Sequence, residues 1–330
     1  AGLALNSLKI SKEITPDIYE SLSEVCDALK LNSDQVKAYV TSSSEIQATC
    51  MSFNKEACII TLSSKILNLL SFEEIKFVMG HEIGHFLLSH NIEDSELDHS
   101  QESFIKKRAQ EISVDRIGLW ACKDLNIATR AIVKTLSGLN EDYIRFDMQA
   151  FLKQLDDDAA LKDTSGQFST HPSFLIRAKA LLRFSLSDQF QKYLNNSEGS
   201  NLEEIDQLIR KDLDLYIDKE LRLDIKNSKE MVSFWGYAYA FVKKGSFSKK
   251  DQDIFSQKFG QTKKDKLINM IKDQSSDFAI KACKDRFFNS IIGFKSTAPN
   301  LAKKELNLLL LEIEAETEQE NFHKEIIKDL

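Results

Sequence analysis

Proline and glycine are scarce in this chain, with 3 and 11 among 330 residues. Because both residues interrupt helices and shape tight turns, their scarcity favours long helices over a turn-rich sheet protein. The 5 cysteines are scattered, odd in number and without a Cys-x-x-Cys pair. We therefore expect reduced, mostly buried thiols, although Cys50 and Cys58 could face each other across a hairpin and form a disulfide.

The chain also lacks long apolar runs and an excess of basic residues. No stretch approaches the ~20 apolar residues that a bilayer-spanning helix needs, which predicts no transmembrane segment. The net charge of -7 argues against a nucleic-acid-binding surface. The first residues do not resemble a signal peptide. We expect a cytoplasmic protein; the alternative is a periplasmic or exported protein whose leader has been removed.

The hydrophobic pattern predicts an α+β, predominantly helical fold with a small β-sheet near the start. Runs rich in β-branched residues predict short strands at 36–41, 46–51 and 57–62. The Asn195–Ser200 run is the best linker. After it we predict only helices, at 201–225, 229–243, 249–258, 262–273, 276–291 and 299–327. We therefore expect a first domain over 1–190 and an all-helical domain over 200–330, which could hold a protein partner.

Residues 77–90 carry His81-Glu82-x-x-His85 within a predicted helix, which Ser71 caps together with Glu74. Residues four apart share a helix face, so the two imidazoles can bind one metal ion. Glu82 is then close enough to reach a water molecule at that ion. The alternative is that the histidines are ordinary core residues beside a surface glutamate.

A hydrolytic zinc site needs three protein ligands and one position for water. Glu111, near the buried face of the next predicted helix, is our third ligand beside His81 and His85. Asp115, one turn further, can accept the outer N–H of a ligating histidine. The alternative is that Glu111 and Asp115 pair with neighbouring basic residues on a wet face. His90 and His99 are expected to be surface residues or residues that support the ligands.

Taken in order, Gly80–His85, Glu111-x-x-x-Asp115 and His171-Pro172 with Arg177 resemble peptidase family M48, the gluzincin metallopeptidases. The resemblance extends over roughly residues 15–185. It implies a zincin-like domain that binds one Zn²⁺ per chain through His81, His85 and Glu111. Two departures are Gln47-Ala48, where the family often has Asn-Ala, and Lys65, where it usually has glycine.

The resemblance also implies roles for other residues. Glu82 would be the general base, His171 would act near the substrate carbonyl, and Arg177 would hold a carboxylate of the site or the substrate in place. If His171 and Arg177 are structural instead, they would cap a helix and form an ion pair. An extended peptide would add to the family's edge strand, identified here as Ala57, Cys58, Ile59, Ile60, Thr61 and Leu62.

The sequence thus predicts a soluble zinc endopeptidase that acts on a peptide, an unfolded protein or a partner protein. One alternative is a protein that keeps the zincin fold for binding or scaffolding without turnover. Another is a regulatory protease that cuts a single dedicated partner.

Overall fold

The computed structural model describes residues 6–53, 56–90, 99–154, 172–196, 198–245 and 247–330. These residues divide into two compact units. The first contains the residues up to 98 and Phe104–Lys219, and the second contains His99–Ser103 and Glu220–Leu330. None of the described helices is long and apolar enough to span a bilayer.

The first unit contains a four-stranded sheet in the order β1-β2-β4-β3. Its strands are β1 Leu8–Lys9, β2 Val36–Thr41, β3 Ala48–Phe53 and β4 Ala57–Ser63. Strand β4 pairs in parallel with β2 and antiparallel with β3. Side chains at alternate positions of β4 are buried in the core, namely Cys58, Ile60 and Leu62.

Helices make up most of the rest of this unit. They are α1 Pro16–Ala28, α2 Ser64–Leu69, α3 Phe72–Leu87, α4 Gln101–Cys122, α5 Leu125–Ser137, α6 Met148–Lys153, α7 Phe174–Ser185, α8 Asp188–Tyr193 and α9 Leu202–Leu213. The predicted capping box of α3 is confirmed, because Ser71 Oγ accepts from Glu74 N and Glu74 Oε2 accepts from Ser71 N. The prediction of an α+β, predominantly helical fold is also confirmed.

The second unit is helical over the residues that the structure describes. Its helices are α10 Lys219–Lys243, α11 Lys249–Phe259, α12 Gln261–Ile271, α13 Ser276–Thr297, α14 Pro299–Thr317 and α15 Phe322–Asp329. Its core is rich in aromatic side chains, including Tyr237, Phe241, Phe255 and Phe287, which are fully buried. Apolar packing of these rings therefore holds the helices together.

Three predicted helix boundaries were wrong. Helix α10 continues without a break through 226–228, the helix predicted at 276–291 continues to Thr297, and the helix predicted at 299–327 ends at Thr317. Glu318 and Asn321 adopt left-handed backbone conformations there, with φ of 55° and 66°. Such conformations stop a helix, but glycine usually provides them, so the sequence offered no signal.

The main segment of the second unit begins at Glu220, whereas the sequence placed the start of the helical domain at residue 200. The reason is the apolar face of α9. Ile205 and Ile209 of this helix pack in one buried cluster with Ile112 and Ile176 of the first unit. Residues 202–213 consequently belong to the first core.

All five cysteines are reduced thiols, and four of them are buried. In the sheet, Cys50 lies opposite Ile60 and Cys58 lies opposite Ser52. Cys50 and Cys58 are therefore diagonal neighbours, and a hydrogen bond joins their thiols. The disulfide that the sequence left open is not formed, although the two thiols are in contact.

Candidate metal centre

Helices α3 and α4 approach each other closely because small residues line their contact. A β-carbon added at Gly80 would lie 2.6 Å from Cβ of Ala121, and one added at Gly118 would lie 2.8 Å from the carbonyl oxygen of Phe77. A β-carbon at Gly84 would lie 3.0 Å from Cβ of Val114. This close approach places the side chains of α4 beside the histidines of α3.

His81, His85 and Glu111 come together at this contact. Their ligand atoms all lie within 4.8 Å of one another. His81 Nε2 is 3.6 Å from Glu111 Oε2, and His85 Nε2 is 3.5 Å from Glu111 Oε1. Glu111 is only 5% exposed, which contradicts the alternative that it belongs to a wet face.

The three side chains can reach one metal ion together, because one ligand atom from each lies within 4.8 Å of the others. Two imidazole nitrogens and one carboxylate also form a donor set that suits zinc. The residues present therefore fit the metal that the sequence predicted.

The imidazole ring of His81 is held in place by the carboxylate of Asp115. Its Nδ1–H donates to Asp115 Oδ1 at 2.9 Å, so the Nε2 lone pair faces Glu111. Asp115 accepts a bidentate pair of hydrogen bonds from Arg177, from Nε at 2.7 Å and from Nη2 at 2.6 Å. Asp115 is 1% exposed and Arg177 is 9% exposed. The chain of contacts fixes both the tautomer and the orientation of the His81 ring.

The electrostatics of the two histidines differ. Burial opposes protonation of His81, but the hydrogen bond to Asp115 and its negative charge outweigh burial and raise the pKa of His81. Burial and the nearby His81 lower the pKa of His85 to about 4. Burial would raise the pKa of Asp115, but the Arg177 guanidinium holds it well below its usual range. A metal ion at this group would therefore compete with a proton at His81 but not at His85.

Glu82 is half-buried on α3, next to His81. Its negative charge acts on the Arg177 guanidinium and on the Cys50 thiol of β3. The described group of metal-ligating atoms does not include the Glu82 carboxylate. Glu82 can therefore serve in proton transfer instead of coordination.

The assignment of residues 57–62 to the edge of the sheet was wrong. Both sides of β4 are paired, with β2 and with β3, so it cannot accept another strand. The strand at the end of the sheet beside α3 is β3, Ala48–Phe53. Among the described residues, no strand pairs with the outer side of β3. Alternation of buried residues identifies the faces of a strand but not its neighbours, which explains the error.

His171 lies outside the described residues. Pro172 is buried, and the N-cap of α7 is Ser173, whose Oγ accepts from Ile176 N at 3.3 Å. Ser173, and not His171, is thus the capping residue that the structural alternative required. Arg177 lies in the first turn of α7 and contacts Asp115, as described above.

Two supporting pairs could not be assigned from the sequence, which left His90 either at the surface or as a support of the ligands. Glu74, which is fully buried, accepts from Lys134 Nζ of α5 at 2.8 Å and lies 3.1 Å from Arg130 Nε. This pairing ties the first turn of α3 to α5. At the other end of α3, His90 Nδ1 lies 3.3 Å from His85 Nδ1. Neither pair has a spacing that a helical pattern would single out.

Comparison with known proteins identifies part of the chain. Residues 13–106 match the model of Peptidase family M48. The match includes β2 to β4 and His81, Glu82 and His85, and it ends before Glu111. Searches of curated proteins and of solved structures found no match. Residues 13–106, which contain His81, Glu82 and His85, are therefore similar to peptidase family M48.

Proposed function

We propose that this chain is a zinc-dependent endopeptidase, with His81, His85 and Glu111 as the ligands of one zinc ion. The proposal is based on the convergence of these three side chains, whose ligand atoms lie within 4.8 Å of one another. His81 and His85 lie inside the region that matches a peptidase family, and Glu111 lies just after it. When bound, zinc acts as a Lewis acid that lowers the pKa of a water molecule and polarises the scissile carbonyl.

Glu82 is the general base in this mechanism. It takes a proton from the attacking water and transfers it to the nitrogen of the leaving amine. Its place on α3, one residue after His81, keeps it near the metal without competing for coordination. Asp115 and Arg177 hold the imidazole of His81 in the tautomer that presents Nε2 to the metal.

Substrate binds, in this proposal, as an extended peptide along the outer side of β3. Main-chain groups at a sheet end can pair with an added strand, which gives affinity without requiring a particular sequence. Strand β3 packs against α3, and the negative charge of Glu82 acts on the Cys50 thiol of β3. A peptide on this strand would therefore run beside the catalytic helix.

His171 is proposed, on the family resemblance, as a donor to the oxyanion of the tetrahedral intermediate. Replacing one such donor typically lowers kcat by ~10²-fold or more. His171→Ala should retain zinc and lose about 10²-fold in kcat. An unchanged kcat would leave His171 with only a structural role.

Hydrolysis of an unfolded protein tests the mechanism. Zinc-loaded wild type should cleave casein, and Glu82→Gln should keep its zinc but lose about 10²–10⁴-fold in rate. Glu73→Gln is the matched control, because Glu73 lies in the first turn of the same helix and pairs with Lys76. It should keep full activity. Equal rates for wild type and Glu82→Gln would refute the assignment of the base.

A wild type that binds zinc but cleaves no unfolded protein would favour one of the two alternatives. A screen of many peptides then distinguishes them. Cleavage of a single sequence indicates a regulatory protease for a dedicated partner, and absence of any cleavage indicates a binding protein.

A further inference from the structure

His90 contacts a metal-ligand candidate because the backbone reverses after helix α3. The helix ends at Leu87, and Leu88 N donates to Gly84 O at 3.0 Å. Ser89 follows with a left-handed φ of 58°. If the helix had continued, five residues of rotation at about 100° each would have placed His90 about 140° around the axis from His85. The left-handed residue is what turns His90 back onto His85.

This turn is energetically unfavourable for the residue that makes it. A left-handed conformation is sterically unfavourable for any residue other than glycine. Ser89 N donates to Phe86 O at 3.1 Å, so the turn is well defined. A defined turn at an unfavourable residue, next to a candidate site, suggests that the position of His90 matters for function.

The two nitrogens of His85 have different surroundings. Nε2 lies 3.5 Å from Glu111 Oε1, and Nδ1 lies 3.3 Å from Nδ1 of His90. The centroids of the two rings are 5.4 Å apart and their planes are inclined by 72°. For His85 to bind a metal through Nε2, its proton must be on Nδ1, and Nδ1–H then needs an acceptor.

We infer that His90 is a positioning residue that accepts the hydrogen bond from His85 Nδ1–H and so presents His85 Nε2 to the metal. The inference rests on the proposed zinc site. In this arrangement the His90 proton is on Nε2 and its Nδ1 lone pair faces His85. His90 thereby does for His85 what Asp115 does for His81, with a neutral acceptor in place of a carboxylate.

Zinc affinity tests the inference without reference to activity. Metal-free wild type, His90→Ala and His90→Asn are titrated with zinc in competition with a chelating dye. Loss of such a supporting partner typically weakens metal binding by ~10–100-fold, which is the expectation for His90→Ala. The asparagine variant keeps an acceptor, because an amide Oδ1 occupies nearly the position of imidazole Nδ1. His90→Asn should therefore recover most of the affinity.

His99→Ala is the control for loss of a histidine, because His99 is exposed and outside the described metal-ligating group. It should bind zinc like the wild type. If His90→Ala also binds like the wild type, His90 does not position His85. The same conclusion follows if His90→Asn melts like the metal-free wild type but binds zinc as weakly as His90→Ala. A wild type without zinc affinity would instead refute the zinc site itself, and this inference with it.

Discussion

Replacing Arg177 with methionine should strongly destabilise the first unit. The substitution keeps an apolar chain but removes the guanidinium that donates two hydrogen bonds to Asp115. Asp115 is 1% exposed, so water cannot replace those bonds. Breaking a buried ion pair by removing one partner typically costs ~3–5 kcal/mol. We expect Arg177→Met to lower the free energy of unfolding by about that amount at pH 7.

Arg183 on the same helix provides a matched control. Its Nε donates to Asp212 Oδ2 at 2.7 Å, a distance equal to that between Arg177 Nε and Asp115 Oδ2. The Arg183 side chain is, however, 26% exposed, and Lys179 Nζ stays 3.0 Å from Asp212 when the guanidinium is removed. Arg183→Met should therefore cost no more than about 1 kcal/mol.

Urea unfolding of the metal-free protein measures both costs. Of the two tryptophans, Trp120 lies in the first unit and Trp235 in the second, so a Trp235→Phe background lets Trp120 fluorescence report on the first. Asp115 has a depressed pKa, so the stability it contributes is present above about pH 4 and is lost as the pH falls towards its folded pKa. The cost of Arg177→Met should shrink over that range. Equal costs for the two arginine variants at pH 7 would refute the reasoning from burial.

Two further predictions follow from packing and burial. Gly80→Ala should cost about 1–3 kcal/mol and weaken zinc binding, because its β-carbon would lie 2.6 Å from Ala121 Cβ and force α4, which carries Glu111, away from α3. Gly293→Ala, whose β-carbon meets nothing within 4 Å, should be neutral or slightly stabilising when urea unfolding is followed by the fluorescence of Trp235, which lies in the same unit. Burial raises the pKa of three thiols, which are Cys26, Cys122 and Cys283. They should resist a thiol-specific disulfide reagent at pH 8 until the protein is unfolded, and fast reaction of all five thiols in the native protein would contradict the described burial.

Local signals in the sequence predicted local structure well. Ser71 and Glu74 indicated where α3 begins, and the spacing of His81 and His85 predicted that the two imidazoles lie on one side of this helix. Such features depend on residues three or four apart, whose geometry a helix dictates. The helix ends at Ser89 and Glu318 had no comparable signal, because left-handed residues other than glycine depend on tertiary contacts.

Contacts between distant residues were harder to predict. The sequence suggested that Asp115 would hold a histidine and that Arg177 would hold a carboxylate, but not that these two residues would pair with each other across 62 positions. The order of strands in the sheet was also unpredictable from alternation, so the edge of the sheet was assigned to β4, although β3 lies there. In both cases the outcome depends on which elements meet in the folded chain.

The metal content of purified protein tests the central claim most directly. Wild type and Glu82→Gln should each contain one zinc per chain by elemental analysis, because Glu82 is not a ligand in this account. His81→Ala, His85→Ala and Glu111→Ala should contain little or none after dialysis against a weak chelator, since each removes one of three ligands. Full zinc occupancy in these three variants, measured under the same conditions, would contradict the assignment of the metal centre.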